Sequence, residues 1–383
     1  MRTIPLFFAI LFLLWNCSVE KSTVYSNNYS YTFDTIVKKY NDNLTERYTG
    51  GIDLLFFDST SYEAFNFCGD NTLKIINHLS DSITQLSLIN PSCNKIYTSI
   101  KKEGVYLVTL ENKIFLYCND NKEKEVVVNL DSIKKFKNSG LTVEWYKPGS
   151  DQYINIPDEY IYFRVHQNFD DSTGKYSKMD SGYPIFAKYN LQTSKIDFFG
   201  EQPAYYEYSY YGIISSVYDL YIGDSIISTS QINGDVQVIN TIKNTVSTLT
   251  IKSKYDTRPI KEWRYEEGMK DAKNKQMKHA LESAFYEPLF YNPYNHNYYR
   301  VFHPYMEEFN KDGLLNTEMD KKSVLMIFNN QMEIIDEILL PINKLQILKL
   351  YPTDKGVYMS LPTLFRMTPD KAEFHYLRVE LKK

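Results

Sequence analysis

From about residue 48 onward, apolar and polar positions alternate in short runs of β-branched and aromatic residues, separated by clusters of Asn, Asp, Gly and Ser. That texture predicts many short antiparallel strands. The runs group into a repeated unit, two strands joined by a polar turn with an Asn beside it. The unit recurs at residues 73–88 (LKIINHLSDSITQLSL), 113–130 (KIFLYCNDNKEKEVVVNL), 186–199 (FAKYNLQTSKIDFF), 236–251 (VQVINTIKNTVSTLTI) and 324–340 (VLMIFNNQMEIIDEILL). Two more strands fit ahead of each pair, within 52–68, 96–109, 143–166, 213–230 and 285–303. A sixth unit over 347–381 stops after three strands, and an isolated alternating segment at 29–37 (YSYTFDTIV) can supply its fourth.

Repeated four-stranded units of roughly 40 to 60 residues predict an all-β fold, a six-bladed β-propeller, because such a twisted sheet buries its faces only against its neighbours around a ring. Pairing 29–37 with the sixth blade closes the ring and hides a strand edge. The third and fifth units are long enough to hold a further strand pair, which leaves seven blades open. The pattern breaks at 265–285, which lacks β-branched residues and is rich in Ala, Lys, Glu and Met. That composition predicts a surface helix inserted between blades four and five.

The first 22 residues follow a different rule. Arg2 is followed by an apolar run of 12 residues from Ile4 to Trp15. At about 1.5 Å per residue a helix of that length spans roughly 18 Å, short of a bilayer core of about 30 Å. It predicts an export signal. Cys17 followed by Ser18 resembles a bacterial lipoprotein cleavage site, where the thiol is lipidated and the mature chain begins. Leu14 fits that pattern, whereas Trp15 and Asn16 stand where small residues are usual. An ordinary signal peptide cut further on, or an uncleaved anchor, is the other reading. The expected organisation is a signal peptide over 1–16, a polar tether over 17–28 and the propeller domain over 29–383. The membrane is the partner at Cys17, and the address is the bacterial cell envelope, at the outer membrane, facing the periplasm or the surface.

Composition narrows the function. The chain has 383 residues, 43 Lys+Arg against 47 Asp+Glu, and 34 Tyr with 22 Phe, so it can bury a large core and is not a disordered polymer. A net charge of -4 gives no basic field for a nucleic-acid backbone. Losing Arg2 with the signal peptide leaves 42 basic against 47 acidic residues, a net -5. After Cys17, the three cysteines Cys68, Cys93 and Cys118 are spaced 25 apart and match no zinc pattern. Three buried thiols, or one disulfide and a free thiol, both fit a domain of this size.

With Cys17, the repeated strand pairs and the strand Asn297, Tyr298, Tyr299, Arg300, Val301, Phe302, the chain resembles a family of uncharacterised bacterial lipoproteins with a TolB-like, six-bladed propeller domain. The resemblance covers nearly the whole chain and rests on architecture and one short strand. It implies a periplasmic or surface lipoprotein without an assigned activity.

In a propeller the long inter-strand loops gather on one face around the channel. Residues 167–182, 252–284 and 304–321 are the longest candidates, and 200–211 adds Tyr205, Tyr206, Tyr208, Tyr210 and Tyr211 in one connection. Two strands echo each other, YIYFRVH with Arg164 and His166, and NYYRVFH with Arg300 and His303. Each brings an Arg and a His to the start of a long loop, a pairing that suits a carboxylate, a phosphate or a metal-bound anion. Strand arginines also commonly pair with neighbouring carboxylates or lie along aromatic rings. Glu307, Glu308 and Asp312 follow His303 and raise a metal site as a further option, and Asp170 and Asp171 read as a solvated turn. The tyrosines suit stacking on sugars or a protein hot spot, although a chain this rich in Tyr also clusters them by composition. Asp256, Arg258, Trp263 and Arg264, just before the predicted helix, suit either contact with a partner or a packed, charge-paired connection.

No Ser nucleophile elbow, HExxH, metal-spaced His set or phosphate-cradling Gly loop is present, so no cofactor is expected. The favoured expectation is a binding or scaffold module for a protein, peptide or glycan. The alternatives are a propeller hydrolase or lyase acting on a polysaccharide or peptide through scattered carboxylates and His303, and a purely structural envelope protein.

Overall fold

The computed structural model describes the strands between residues 29 and 143 by their backbone. It further describes residues 160–167, 184–190, 192–201, 217–258, 260, 272–317, 320–340, 350–360, 366–368 and 371–381, with side chains placed within 160–165, 184–201, 217–260, 274–340, 350–359 and 377–380. Among these residues the protein is all-β, with six antiparallel sheets and one helix.

After β1 (Tyr29–Lys39), the first sheet holds β2 (Ile52–Phe57), β3 (Thr60–Phe67), β4 (Thr72–Asn77) and β5 (Ile83–Ser87). The second holds β6 (Ile96–Lys102), β7 (Val105–Leu110), β8 (Lys113–Cys118) and β9 (Glu123–Asn129). The third holds β10 (Leu141–Val143), β11 (Tyr160–Gln167), β12 (Phe186–Asn190) and β13 (Ile196–Phe199). The fourth holds β14 (Val217–Ile222), β15 (Ser225–Ser230), β16 (Asp235–Asn240) and β17 (Thr245–Thr250). Helix α1 (Ala272–Leu281) follows, inside the segment whose composition predicts it. The fifth sheet holds β18 (Phe285–Asn292), β19 (Asn297–His303), β20 (Val324–Phe328) and β21 (Ile334–Leu339). In the sixth, β22 (Leu350–Pro352), β23 (Gly356–Ser360) and β25 (Lys371–Leu381) are joined by β24 (Arg366–Thr368), which pairs with the start of β25.

The fourth strand of the sixth sheet comes from the other end of the chain. Strand β1 pairs antiparallel with β25 from Tyr29 opposite Leu381 to Lys39 opposite Lys371. The first five sheets run their strands in simple up-and-down order, the third and fifth holding four strands each among the described residues, and in the sixth β25 lies between β23 and β1. First strands lie beside first strands: β2 contacts β6, β14 contacts β18, and β18 contacts β22.

The hairpins show why Asn recurs. At the end of β12 the Asn190 side chain accepts from the amides of Gln192 and Thr193, and at the end of β16 Asn240 accepts from Ile242 and Lys243. After β20, Asn329 accepts from Gln331 and Glu333. Each turn then passes through a left-handed residue, Ser194, Asn244 or Met332. The Asx oxygen satisfies the turn amides and sets the two-strand register.

Packing explains the uninterrupted apolar stretch VLMIF in β20. Val324, Met326 and Phe328 face the fourth sheet with Tyr286, Tyr298 and Phe302, against Leu220, Ile227 and Val236. Leu325 and Ile327 face the sixth sheet with Tyr299 and Val301, against Leu350, Val357, Met359, Leu377 and Val379. A sheet covered on both faces has no polar side to alternate with. A third cluster joins Tyr162, Ile185 and Phe186 of the third sheet region to Ile226 and Ile239 of the fourth. The backbones come close at Gly356, where a Cβ would sit 2.0 Å from the Val379 carbonyl oxygen.

Candidate functional site

The two Arg-bearing strands occupy equivalent places, each the second strand of its sheet, and both arginines reach the fourth sheet between them. The Arg164 guanidinium donates from Nε to Asp219 Oδ2 at 2.5 Å and from Nη2 to Asp219 Oδ1 at 2.5 Å and Ser228 Oγ at 2.7 Å. It lies 4.7 Å from the Phe186 ring centroid. Both side chains of the ion pair are about 5% exposed or less, at 4% and 5%. Arg300 donates from Nη2 to the Ser230 carbonyl at 2.6 Å and from Nε to the Glu287 carbonyl at 2.9 Å, with its guanidinium 4.6 Å from the Tyr286 ring centroid. The arginines therefore hold strand β15 from its two neighbours, through Ser228 and Ser230. Burial of a guanidinium requires such hydrogen bonding, since an uncompensated buried charge costs several kcal/mol.

His303 is also enclosed. Its Nε2 lies 3.3 Å from Glu287 Oε1, and its Nδ1 lies 3.1 Å from Ser323 Oγ and 3.3 Å from the Lys322 carbonyl. A proton on Nε2 donates to Glu287, and Nδ1 can accept from the Ser323 hydroxyl. Glu287 sits where the β18–β19 register shifts between Tyr286 and Leu289. Ser, His and carboxylate in series resemble a hydrolase triad in composition. The order of access is the reverse of what acyl transfer needs, because Ser323 is fully buried at 0% and the partly exposed end is the Glu287 carboxylate, 21% exposed.

Residues 253–258, the end of α1 and residues 305–308 meet beside this network. Tyr286 donates its hydroxyl to Asp256 at 2.8 Å and accepts from the Ser253 amide at 3.3 Å, and burial and the Asp256 charge push its pKa up. Arg258 pairs with Glu307 at 3.2 Å and lies 4.1 Å from the Tyr305 ring centroid. Lys278 of α1 pairs with Glu308. Glu307 and Glu308 thus turn to basic partners rather than to His303, and no metal-binding group of three His, Cys, Asp or Glu occurs among the described residues. Beyond them, Phe309 bridges to Leu315 in a small hairpin whose turn is held by Asn310 and Gly313. That hairpin carries Phe309, Leu314 and Leu315, 53%, 65% and 61% exposed.

Lys321 is the feature the sequence did not mark. It is 3% exposed, and its ammonium donates to the carbonyls of Ala280 at 2.9 Å, Leu281 at 2.8 Å and Ser283 at 2.5 Å. Nothing in its local sequence separates it from an ordinary surface lysine. The His166 side chain, the tyrosines Tyr205, Tyr206, Tyr208, Tyr210 and Tyr211, Asp170, Asp171, Trp263, Arg264, Cys17 and the side chains of Cys68, Cys93 and Cys118 lie outside the described residues.

Neither a protein-family model nor a curated protein sequence matches the chain. Solved structures do match its fold. A member of the DUF4221 family from Bacteroides vulgatus is similar at 14% identity, over 93% of this chain and 99% of that one, with a TM-score of 0.64. A protein of Bacteroides fragilis predicted to be exported is similar at 9% identity, over 94% and 97% of the two chains, with a TM-score of 0.48. The first of these supports the fold along nearly the full length of the chain. No helix among the described residues is long and apolar enough to cross a membrane.

Proposed function

We propose that this chain is a lipid-anchored protein of the bacterial envelope whose six sheets close into a propeller and whose loop-rich face holds a protein, peptide or glycan. Closure is supported by the pairing of β1 with β25 and by the contacts between first strands of successive sheets. The observation that carries the binding role is the ordered hairpin of Phe309, Leu314 and Leu315, three large apolar side chains held out from the surface by a defined turn. Contiguous exposed apolar surface of this kind marks interaction sites. Tyr205, Tyr206, Tyr208 and Tyr210 extend the same contact surface in this reading. His166 belongs to it in the same reading, while His303, Arg164 and Arg300, all buried, serve as the frame beneath.

The test is binding of the purified chain to a panel of envelope polysaccharides and peptides by calorimetry, with product release assayed on the same panel. The proposal expects saturable binding without turnover, weakened at least tenfold by Phe309→Ser with Leu315→Ser at unchanged melting temperature. Turnover that depends on Glu287 or His303 would establish the hydrolase or lyase instead. Anchoring is checked separately by palmitate labelling of growing cells, which Cys17→Ser should abolish.

A further inference from the structure

Helix α1 has little of its own to hold it. Ten residues are too few for a stable isolated helix in water. Its sequence AKNKQMKHAL has no acidic residue in the first turn, and Ala280 and Leu281 are its fully buried apolar residues among those described. Its C-terminal end must also find donors for carbonyls that have no intrahelical partner. Lys321 meets that need from outside the helix, with one nitrogen against the carbonyls of Ala280, Leu281 and Ser283. The same short segment holds His303 through the Lys322 carbonyl and the Ser323 hydroxyl. Lys321 and His303 both contact the Phe285 ring, at 4.9 Å and 4.6 Å from its centroid. One stretch of three residues therefore joins the helix end to the buried histidine.

We infer that Lys321 makes the docking of α1 pH-dependent, with the helix held more tightly as the amine loses its proton and loosened as the amine gains it. The geometry sets the sign. The amine is buried, and among the described residues no carboxylate pairs with it. The charged form therefore bears the cost of leaving water with no opposite charge to offset it, only the carbonyl dipoles and the Phe285 ring, whereas the neutral amine keeps two N–H donors for two of the three carbonyls. Burial brings its pKa down to about 7. Released from the site, the amine returns to the ordinary lysine value, so docking strengthens between those two values and is weakest below the lower one. Among the described residues, the charged and titratable groups on the packed elements are Lys275, Lys278 and His279 of the helix, Glu282 at its end, Glu287 of β18, His303 of β19, Glu308 of the loop, and Asp320 and Lys322 on either side of Lys321, with Asp320 engaged by Thr317. Lys278 is engaged by Glu308 and Glu282, and Glu287 by His303.

The experiment is hydrogen exchange with mass spectrometry on the full chain at pH 6.5 to 9, corrected for intrinsic exchange, comparing wild type with Lys321→Met. The wild type is expected to gain protection over residues 272–286 by up to tenfold per pH unit above 7, while Lys321→Met shows no such trend. A flat wild-type profile, or the same trend in both proteins, overturns the inference. Should the Met variant fail to fold, NMR titration of the Lys321 side chain in selectively labelled wild type decides alone. A midpoint near 7 supports the inference, and one near the ordinary lysine value overturns it.

Discussion

Arg164 and Asp219 form a two-pronged ion pair that ties the second strand of the third sheet to the first strand of the fourth. Two parallel N–H donors meet two carboxylate oxygens, the geometry that only arginine provides. Because both partners are buried, the pair is worth most when intact and is costly to halve. Replacing Arg164 by Met, or Asp219 by Asn, should each lower unfolding stability by about 3 to 5 kcal/mol. Arg164→Met with Asp219→Leu should recover much of that loss in urea denaturation. A stable Arg164→Met variant that had lost ligand binding would move Arg164 from the frame to the site.

Gly356 is required for close approach rather than for turn freedom. Its added Cβ would meet the Val379 carbonyl at 2.0 Å, inside the pairing of β23 with β25. Backbone has to move to relieve such a clash. Gly356→Ala should cost about 3 kcal/mol or more and expose the strand that also pairs with β1. Loss of amide protection along β25 in hydrogen exchange is the check.

The Asx turns allow a milder prediction. Asn240→Ala removes an acceptor used by two exposed turn amides, which water can partly replace. The expected loss is about 1 kcal/mol. Asn244, at φ 52°, should tolerate Gly and resist Val, whose branched Cβ disfavours the left-handed region. Thermal melts should place Asn244→Gly above both Asn240→Ala and Asn244→Val.

Glu337 gives a pH dependence in the acid range. It is 2% exposed, and burial raises its pKa, opposed by hydrogen bonds from Ser253 and the Lys254 amide. The folded protein therefore binds this proton more tightly than the unfolded chain. Its contribution is fully present below the ordinary glutamate value and is lost as pH rises through the folded pKa. Glu337→Gln should flatten the fall in stability over that window, at most about 1.4 kcal/mol per pH unit. Denaturant midpoints from pH 4 to 7 for both proteins measure it.

Strand β1 offers a test of ring closure. Deleting residues 1–28 should leave the melting temperature unchanged, whereas extending the deletion through residue 39 strips β25 of a partner along its whole length. The longer deletion should melt earlier and self-associate through the exposed edge in light scattering. Equal stability of the two truncations would count against closure.

The alternating runs, the Asn-marked hairpins and the helix-like interruption were legible because each follows from local steric and hydrogen-bonding rules within a few residues. Most strands fall where those patterns place them, β10 starting ahead of its expected segment and β24 being an added strand, and β1 joins the sixth sheet at its open side. The roles of Arg164, Arg300 and Lys321 were not legible. Arg164 meets Asp219 across 55 positions of sequence, Arg300 meets Ser230 across 70, and Lys321 meets Ala280 across 41. An Arg at a loop mouth reads the same in sequence whether it faces a ligand or a neighbouring sheet. The sequence by itself thus determined the strands, turns and sheet order, whose causes are local. Tertiary structure alone decided which polar groups are buried and by whom they are answered, because burial and its compensating partners arise only when distant sheets pack together.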